Sequence, residues 1–194
     1  MMKPITLAML ALAAVAAPAV AKWKEVVPAR TAVASSGLSV AADSGWNRWT
    51  KKPIKKEELW SLDGPLLNRI EFFGGIASGE TLAREHNKSR HPLPKFAASM
   101  HATDVAELIE RTLRVTESAP DFTVEAVEPV RFAGQSGFRL RYRYLTGELV
   151  RRGEARGSNV GGKLYLINYS APALHYFDAN LPRAVAIMDS ARIG

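Results

Sequence analysis

Three of the four histidines, His86, His91 and His101, fall within sixteen residues, in the stretch EHNKSRHPLPKFAASMH. Imidazoles this close could bind zinc or move protons for a hydrolase, so the segment is the first place to look for chemistry. Zinc needs three or four ligands converging in a fixed geometry, and neither H-E-x-x-H nor another tight ligand spacing occurs here. Histidines solvated in a polar loop are the plainer reading, and no cofactor is expected. A second motif, GSNVGGKL at 157–164, satisfies G-x-x-x-x-G-K. A phosphate-cradling loop also needs a following hydroxyl for magnesium and a helix N-terminus. Leu164 stands at the hydroxyl position and KLYLINY continues as a strand, so the segment reads as a hairpin turn. For nucleophilic catalysis, Ser136 lies in GQSGF, which is not G-x-S-x-G and precedes a strand. Asp43, Asp63 and Asp178 have ready jobs in turns or at helix starts. A triad assembled from separated residues stays open, because triads are defined by geometry.

The densest charge lies in GFRLRYRYLTGELVRRGEARG, residues 137–157, with six arginines against two glutamates. Strand alternation puts Phe138, Leu140, Tyr142 and Tyr144 on one side and Arg139, Arg141 and Arg143 on the other. Arg151, Arg152 and Arg156 on the next strand either extend this ladder or pair with Glu148 and Glu154. Arg139, Arg141, Arg143, Arg151 and Arg152 are therefore the candidate surface for a partner protein or an anionic envelope component. A solvated sheet face is the plainer alternative. Whether that face is bare or covered by a helix decides the matter, since covered arginines need buried partners. The aromatics, among them Trp46, Trp49, Trp60, Tyr165, Tyr169, Tyr176 and Phe177, follow element periodicity and read as core, with a small apolar pocket as the alternative.

Several elements must position these groups. The sequence opens MMKPITLAMLALAAVAAPAVA, with a lysine, an apolar run and a small-residue cleavage pattern ending at Ala21. That is the layout of a secretory signal peptide. The expected mature product is periplasmic or secreted, begins at Lys22 and has no later span apolar enough to cross a bilayer. The full sequence of 194 residues carries a net charge of +7, and losing residues 1–21 removes one lysine and no acid. The basic balance favours acidic partners, but export argues against nucleic acid. Cysteine is absent, which excludes disulfides and thiol chemistry.

Residues 22–36 read as an N-terminal arm with a short strand possible at Trp23 to Val27, and 37–194 as a single domain. KKPIKKEE at 51–58 reads as a solvated loop. Asp63-Gly64 marks a hairpin whose second limb has Leu66, Ile70 and Phe72 on its core side and Leu67, Arg69, Glu71 and Phe73 on the other. Residues 77–96 form a long surface connection, a feature often functional. Thr103 is placed to cap a helix over DVAELIERTLRVT, with Val105, Leu108, Ile109 and Leu113 as its apolar stripe. Strands follow, one of them broken at Pro129, and then a last helix with Leu181, Ala184, Val185 and Met188 inward. The expected fold class is α+β, with an antiparallel sheet of about six strands packed with helices.

The order of parts, with the GLSV strand and Gly-Trp turn, the amphipathic helix, the meander, YSAP at Tyr169 to Pro172, Phe177 and the closing MDSAR, resembles the PsbP-like superfamily, which includes the periplasmic DcrB proteins. The resemblance implies an α-β-α sandwich and an exported, non-catalytic accessory module with no common catalytic residues to carry over. The expected function is thus an accessory or interaction protein of the cell envelope. The alternatives are a periplasmic hydrolase or metal enzyme using His86, His91 and His101, and a binder of a small apolar ligand or anionic lipid.

Overall fold

The computed structural model describes residues 22–194, so the leader reading of 1–21 lies outside it. The elements are β1 (Trp23–Glu25), β2 (Arg30–Ala32), β3 (Leu38–Ala41), β4 (Asn47–Trp49), β5 (Glu57–Ser61), β6 (Arg69–Ala77), α1 (Ala102–Thr116), β7 (Phe122–Phe132), β8 (Gln135–Thr146), β9 (Leu149–Val160), β10 (Lys163–Pro172), α2 (Tyr176–Asp189) and β11 (Arg192–Ile193). Eight strands pair antiparallel in the order β1-β4-β5-β6-β10-β9-β8-β7, and β11-β3-β2 make a second, small sheet. α2 and the small sheet bury one face of the large sheet around Trp46, Trp60, Phe72 and Tyr169. α1 and apolar residues of the loop before it, Leu82 and Phe96, bury the other around Phe73, Ile109, Leu140 and Leu166. The α+β class and the sandwich hold. The count of about six strands does not, because strands of two or three residues such as β1, β2, β4 and β11 carry too little alternation to read.

The segment expected as an arm is built into both sheets. Trp23 of β1 sits opposite Trp49 of β4 with ring centroids 4.7 Å apart, and Val33 and Ala34 are fully buried. The lysine-rich stretch also differs from a solvated loop at its end, where Glu57 and Glu58 open β5 and are only 7% and 2% exposed. Glu58 is held by the Trp60 indole N–H at 2.8 Å, the Ala34 N–H at 3.2 Å and Lys52 at 3.3 Å. Trp60 belongs to the same strand, but Ala34 and Lys52 come from two other segments, which no local pattern discloses.

β5 and β6 form the antiparallel pair expected around Asp63-Gly64, but the turn runs from 62 to 68 and leaves Leu66 80% exposed. β7 is continuous through Pro129 because it is an edge strand of the sheet, where the missing N–H costs no ladder bond on its open side. Gly161 and Gly162 join β9 to β10 with φ of 58° and 74°. That is the two-residue hairpin conformation needing positive φ at both positions, so GSNVGGKL is a turn with no helix behind it. α1 begins one residue before Thr103, with His101 as its N-cap, and Asp104 accepts the His101 N–H at 2.8 Å. Its stripe is as expected, with Ala106 and Thr112 added. α2 turns Phe177, Ala184, Ile187 and Met188 inward, so Val185 is displaced from the centre of the buried face.

Candidate functional site

The alternation read along β8 is observed: Phe138, Leu140, Tyr142 and Tyr144 are buried and face α1, while Arg139, Arg141 and Arg143 lie on the opposite face. Glu128 on β7 takes two of these arginines, Arg139 at 2.6 Å and Arg141 at 3.4 Å. Arg139 holds the Glu128 carboxyl below its usual range through their hydrogen bond. Across the β8 and β9 pairing, Arg143 faces Arg152 and Arg139 faces Arg156, which sets like charges directly opposite. α2 relieves both pairs. Arg152 reaches Asp178 at 3.2 Å and lies over the Phe177 ring, 4.6 Å from its centroid. Arg156 bridges Glu154 at 2.7 Å and Asp189 at 2.6 Å.

Arg143 alone of the ladder is exposed without a hydrogen bond or ion pair among the described residues. Arg151 does not join the ladder: it points to the α1 face, is 4% exposed, and donates to the Tyr144 hydroxyl, the Leu66 carbonyl and the Ser170 carbonyl. The basic stretch is therefore largely neutralised from within, by Glu128 and Glu154 of the sheet and by Asp178 and Asp189 of the helix that covers part of it.

The α1 face carries something the sequence reading did not find. Residues 78–101 arch over the sheet without helix or strand, pinned at the base by the Gly79 N–H to the Phe96 carbonyl at 2.8 Å and the Phe96 N–H to the Glu80 carbonyl at 2.9 Å. Lys56 adds a bond of 2.6 Å to Glu80, and Leu82, Leu93 and Phe96 are buried as anchors. The expected surface connection is thus a tethered roof. Beneath it, between α1 and β6, lies a cavity of about 410 Å³. Phe73, Leu82, Leu93, Ile109, Leu113 and Leu166 form its apolar wall.

Its floor is polar. Arg69 reaches Glu117 at the end of α1 at 3.0 Å and Glu71 at 3.7 Å, with further bonds to Ser170 and Tyr144. Burial works against the Arg69 charge, but Glu71, Tyr144 and Glu117 outweigh it and hold the guanidinium more firmly protonated than usual. Glu71 accepts from Asn168 at 2.9 Å, and Asn168 accepts from Tyr142 at 2.7 Å. Burial raises the Tyr142 phenol well above its ordinary range. Tyr142 lies flat across Gly153, where any Cβ would collide with its ring.

Glu57 is the exception in this network. It lines the cavity, and its Oε2 is buried without a hydrogen-bond partner among the described residues. Burial first, and then the neighbouring Glu71 carboxylate, pushes the Glu57 carboxyl up to about 8 against the pull of Arg69. A buried acid displaced this far beside a cavity marks a functional-site candidate.

His86 and His91 both border this cavity, on the roof side, whereas His101 is taken away to the start of α1. No three His, Cys, Asp or Glu side chains among the described residues gather as a metal centre would need. The hydroxyls in the cavity wall are committed to backbone: Thr112 donates to the Leu108 carbonyl and Thr116 to the Thr112 carbonyl. No helix among the described residues is long and apolar enough to cross a membrane.

Glu57, Arg69 and Glu71 were missed because a charged residue in a strand reads as outward-facing. The available signal was that Arg69 and Glu71 alternate with Phe73, a mixed face that suits neither open solvent nor a plain core.

No protein-family model matches the chain, and no curated protein gives a significant match. Solved structures do. The chain is similar to the solution structure of cyanobacterial PsbP from Synechocystis sp. PCC 6803, with a TM-score of 0.57 over 94% of this chain and 99% of that one, at 18% identity. It is more distantly similar to the Ran-binding protein Mog1p of Saccharomyces cerevisiae, with a TM-score of 0.49, 9% identity, and 88% and 95% of the two chains covered. LpqN of Mycobacterium tuberculosis, described as involved in cell envelope biogenesis, aligns with a TM-score of 0.40, 12% identity, and 88% and 91% covered. The chain has a PsbP-like fold.

Proposed function

We propose that the protein is an exported accessory protein of the cell envelope that acts by binding rather than by catalysis, and that the cavity under the 78–101 loop is where it binds. The observation that carries this reading is the cavity itself: an apolar wall over a polar floor, of a size typical for small-molecule sites. The signal-peptide pattern supports export, and the accessory role is the one the PsbP-like resemblance implies. The wall hydroxyls are bonded to backbone and no nucleophile is paired with a base there, which supports binding over hydrolysis. The arginine ladder is better read as a braced sheet face than as an anion grip, since most of its charges are already paired.

The test has two arms. Mass spectrometry of protein recovered from an envelope fraction checks for a mature chain starting at Lys22. Native mass spectrometry of the same sample is compared with Ala83→Trp, which places an indole in the cavity lining. A retained small molecule in the wild type, absent from the variant, is the expected result. Identical, ligand-free spectra from both, or turnover of a hydrolase substrate panel that is lost on replacing His91, would sink the reading.

A further inference from the structure

We propose that the cavity selects a small apolar molecule bearing one protonated amine, with the ammonium seated against Glu57. The inference rests on the binding reading above and names its ligand class. Three carboxyls border the cavity, Glu57, Glu71 and Glu117, against one guanidinium at its floor, Arg69. Arg69 is already in contact with Glu71 and Glu117, so its charge is spent on them. Arg84, on the roof, directs its Nε to the Pro53 carbonyl at 2.9 Å, and the other charged or titratable groups bordering the space are His86 and His91. The balance at the floor is negative, and Glu57 is the member left without an ion pair or hydrogen bond at Oε2.

Glu57 is more than nine-tenths buried and borders the cavity, and an acid with one buried oxygen unpartnered is costly to the fold unless something fills its need. A ligand ammonium supplies both the hydrogen-bond donors and the positive charge. Phe73, Leu82, Leu93 and Ile109 then cover the apolar body. A carboxylate ligand is disfavoured by the same floor, and a neutral alcohol gains the wall but not the charge.

The chemistry includes a proton step that can be counted. Crowded by burial and Glu71, Glu57 holds a proton at neutral pH. When the ammonium arrives, that proton leaves to solvent and the carboxylate pairs with the ligand cation, so charge in the cavity is conserved. Amine affinity should therefore rise about tenfold per pH unit below pH 8 and level off above it.

The experiment uses three near-isosteric probes, 4-phenylbutylamine, 4-phenylbutanol and 4-phenylbutyrate, titrated calorimetrically into the full mature chain. Buffers of different ionisation enthalpy report proton release. The expected result is binding in the order amine, alcohol, acid, with close to one proton released by the amine at pH 7 and none by the alcohol. Glu57→Gln, an isostere of the protonated acid, should weaken the amine at least about tenfold and leave the alcohol unchanged. Ala83→Trp should abolish both. Equal binding of amine and alcohol, or an amine affinity untouched by Glu57→Gln, overturns the ammonium assignment while leaving the cavity as a binding site. Failure of all three probes overturns the cavity as well.

Discussion

The two faces of the large sheet solve the same problem in opposite ways. Under α2, Arg139, Arg141, Arg152 and Arg156 are matched by acids on β7, β9 and α2, and Trp46, Trp60, Ile70 and Tyr169 are fully buried. Under α1, Arg69 is equally well held, yet one carboxyl oxygen is left over and a cavity remains beside it. A charge network in which each buried ion has a counter-ion, as Arg141 has Glu128 although its Nε is unpartnered, indicates architecture. One that leaves a member unpaired at an open space indicates a site.

The largest effect that would sharpen this contrast comes from removing the same side chain on each face. Ile70→Ala, in the fully packed layer, should cost about 4 kcal/mol, whereas Ile109→Ala, which borders the existing cavity, should cost about 2 kcal/mol. Denaturant midpoints read both, and equal losses would break the contrast. Next, Arg156→Ala strands the buried Glu154 and frees Asp189 of α2, for an expected loss of about 3 kcal/mol. A loss near zero would mean that the α2 face does not depend on its closed network.

A comparable effect of opposite sign belongs to Glu57. Its folded-state value of about 8 lies above the ordinary 4.5, so the folded chain holds a proton that the unfolded chain releases between those limits. Stability therefore falls as pH rises from 4.5 to 8, and the loss is complete above 8. Glu57→Gln should stabilise the empty protein by about 3 kcal/mol at pH 7, with the gain vanishing near pH 4. A pH-independent difference between the two melting curves would remove Glu57 from its role as the unsatisfied group. The smallest effect is at the exposed, unpaired Arg143, where Arg143→Ala should shift stability by no more than about 0.5 kcal/mol.

How much of this was legible depends on which contacts are local. The β8 alternation, the α1 stripe and the Gly161-Gly162 turn each follow from a period or a dihedral demand within a few residues, and each is present. The resemblance to PsbP-like proteins, carried by element order, also matches the observed fold. The burial of Glu57 and Glu58 was not legible, because Ala34, which binds Glu58, and Arg69 and Glu71, which face Glu57, come from other segments of the chain. Nor could the site be seen in the second limb of the β5 and β6 pair. Arg69 meets Glu117 only once α1 folds back over the sheet, and Glu71 meets Asn168 only once β10 docks. The histidines misled in part: closeness in sequence brought His86 and His91 to one cavity but left His101 at a helix start.

The place of β10 in the sheet also orders the folding of the molecule. β7 to β10 pair with their neighbours in sequence, so that meander can form from short-range closures. β6 instead pairs with β10, with Ile70 opposite Tyr169, across almost the whole intervening chain. A seam of such long sequence separation is slow to close and belongs late on the pathway. The bond from Asn168 to Glu71 crosses that seam, which makes the cavity floor one of the last parts of the molecule to assemble. Whatever occupies the cavity therefore acts mainly on the rate of unfolding, lengthening the lifetime of the folded protein without hastening its formation.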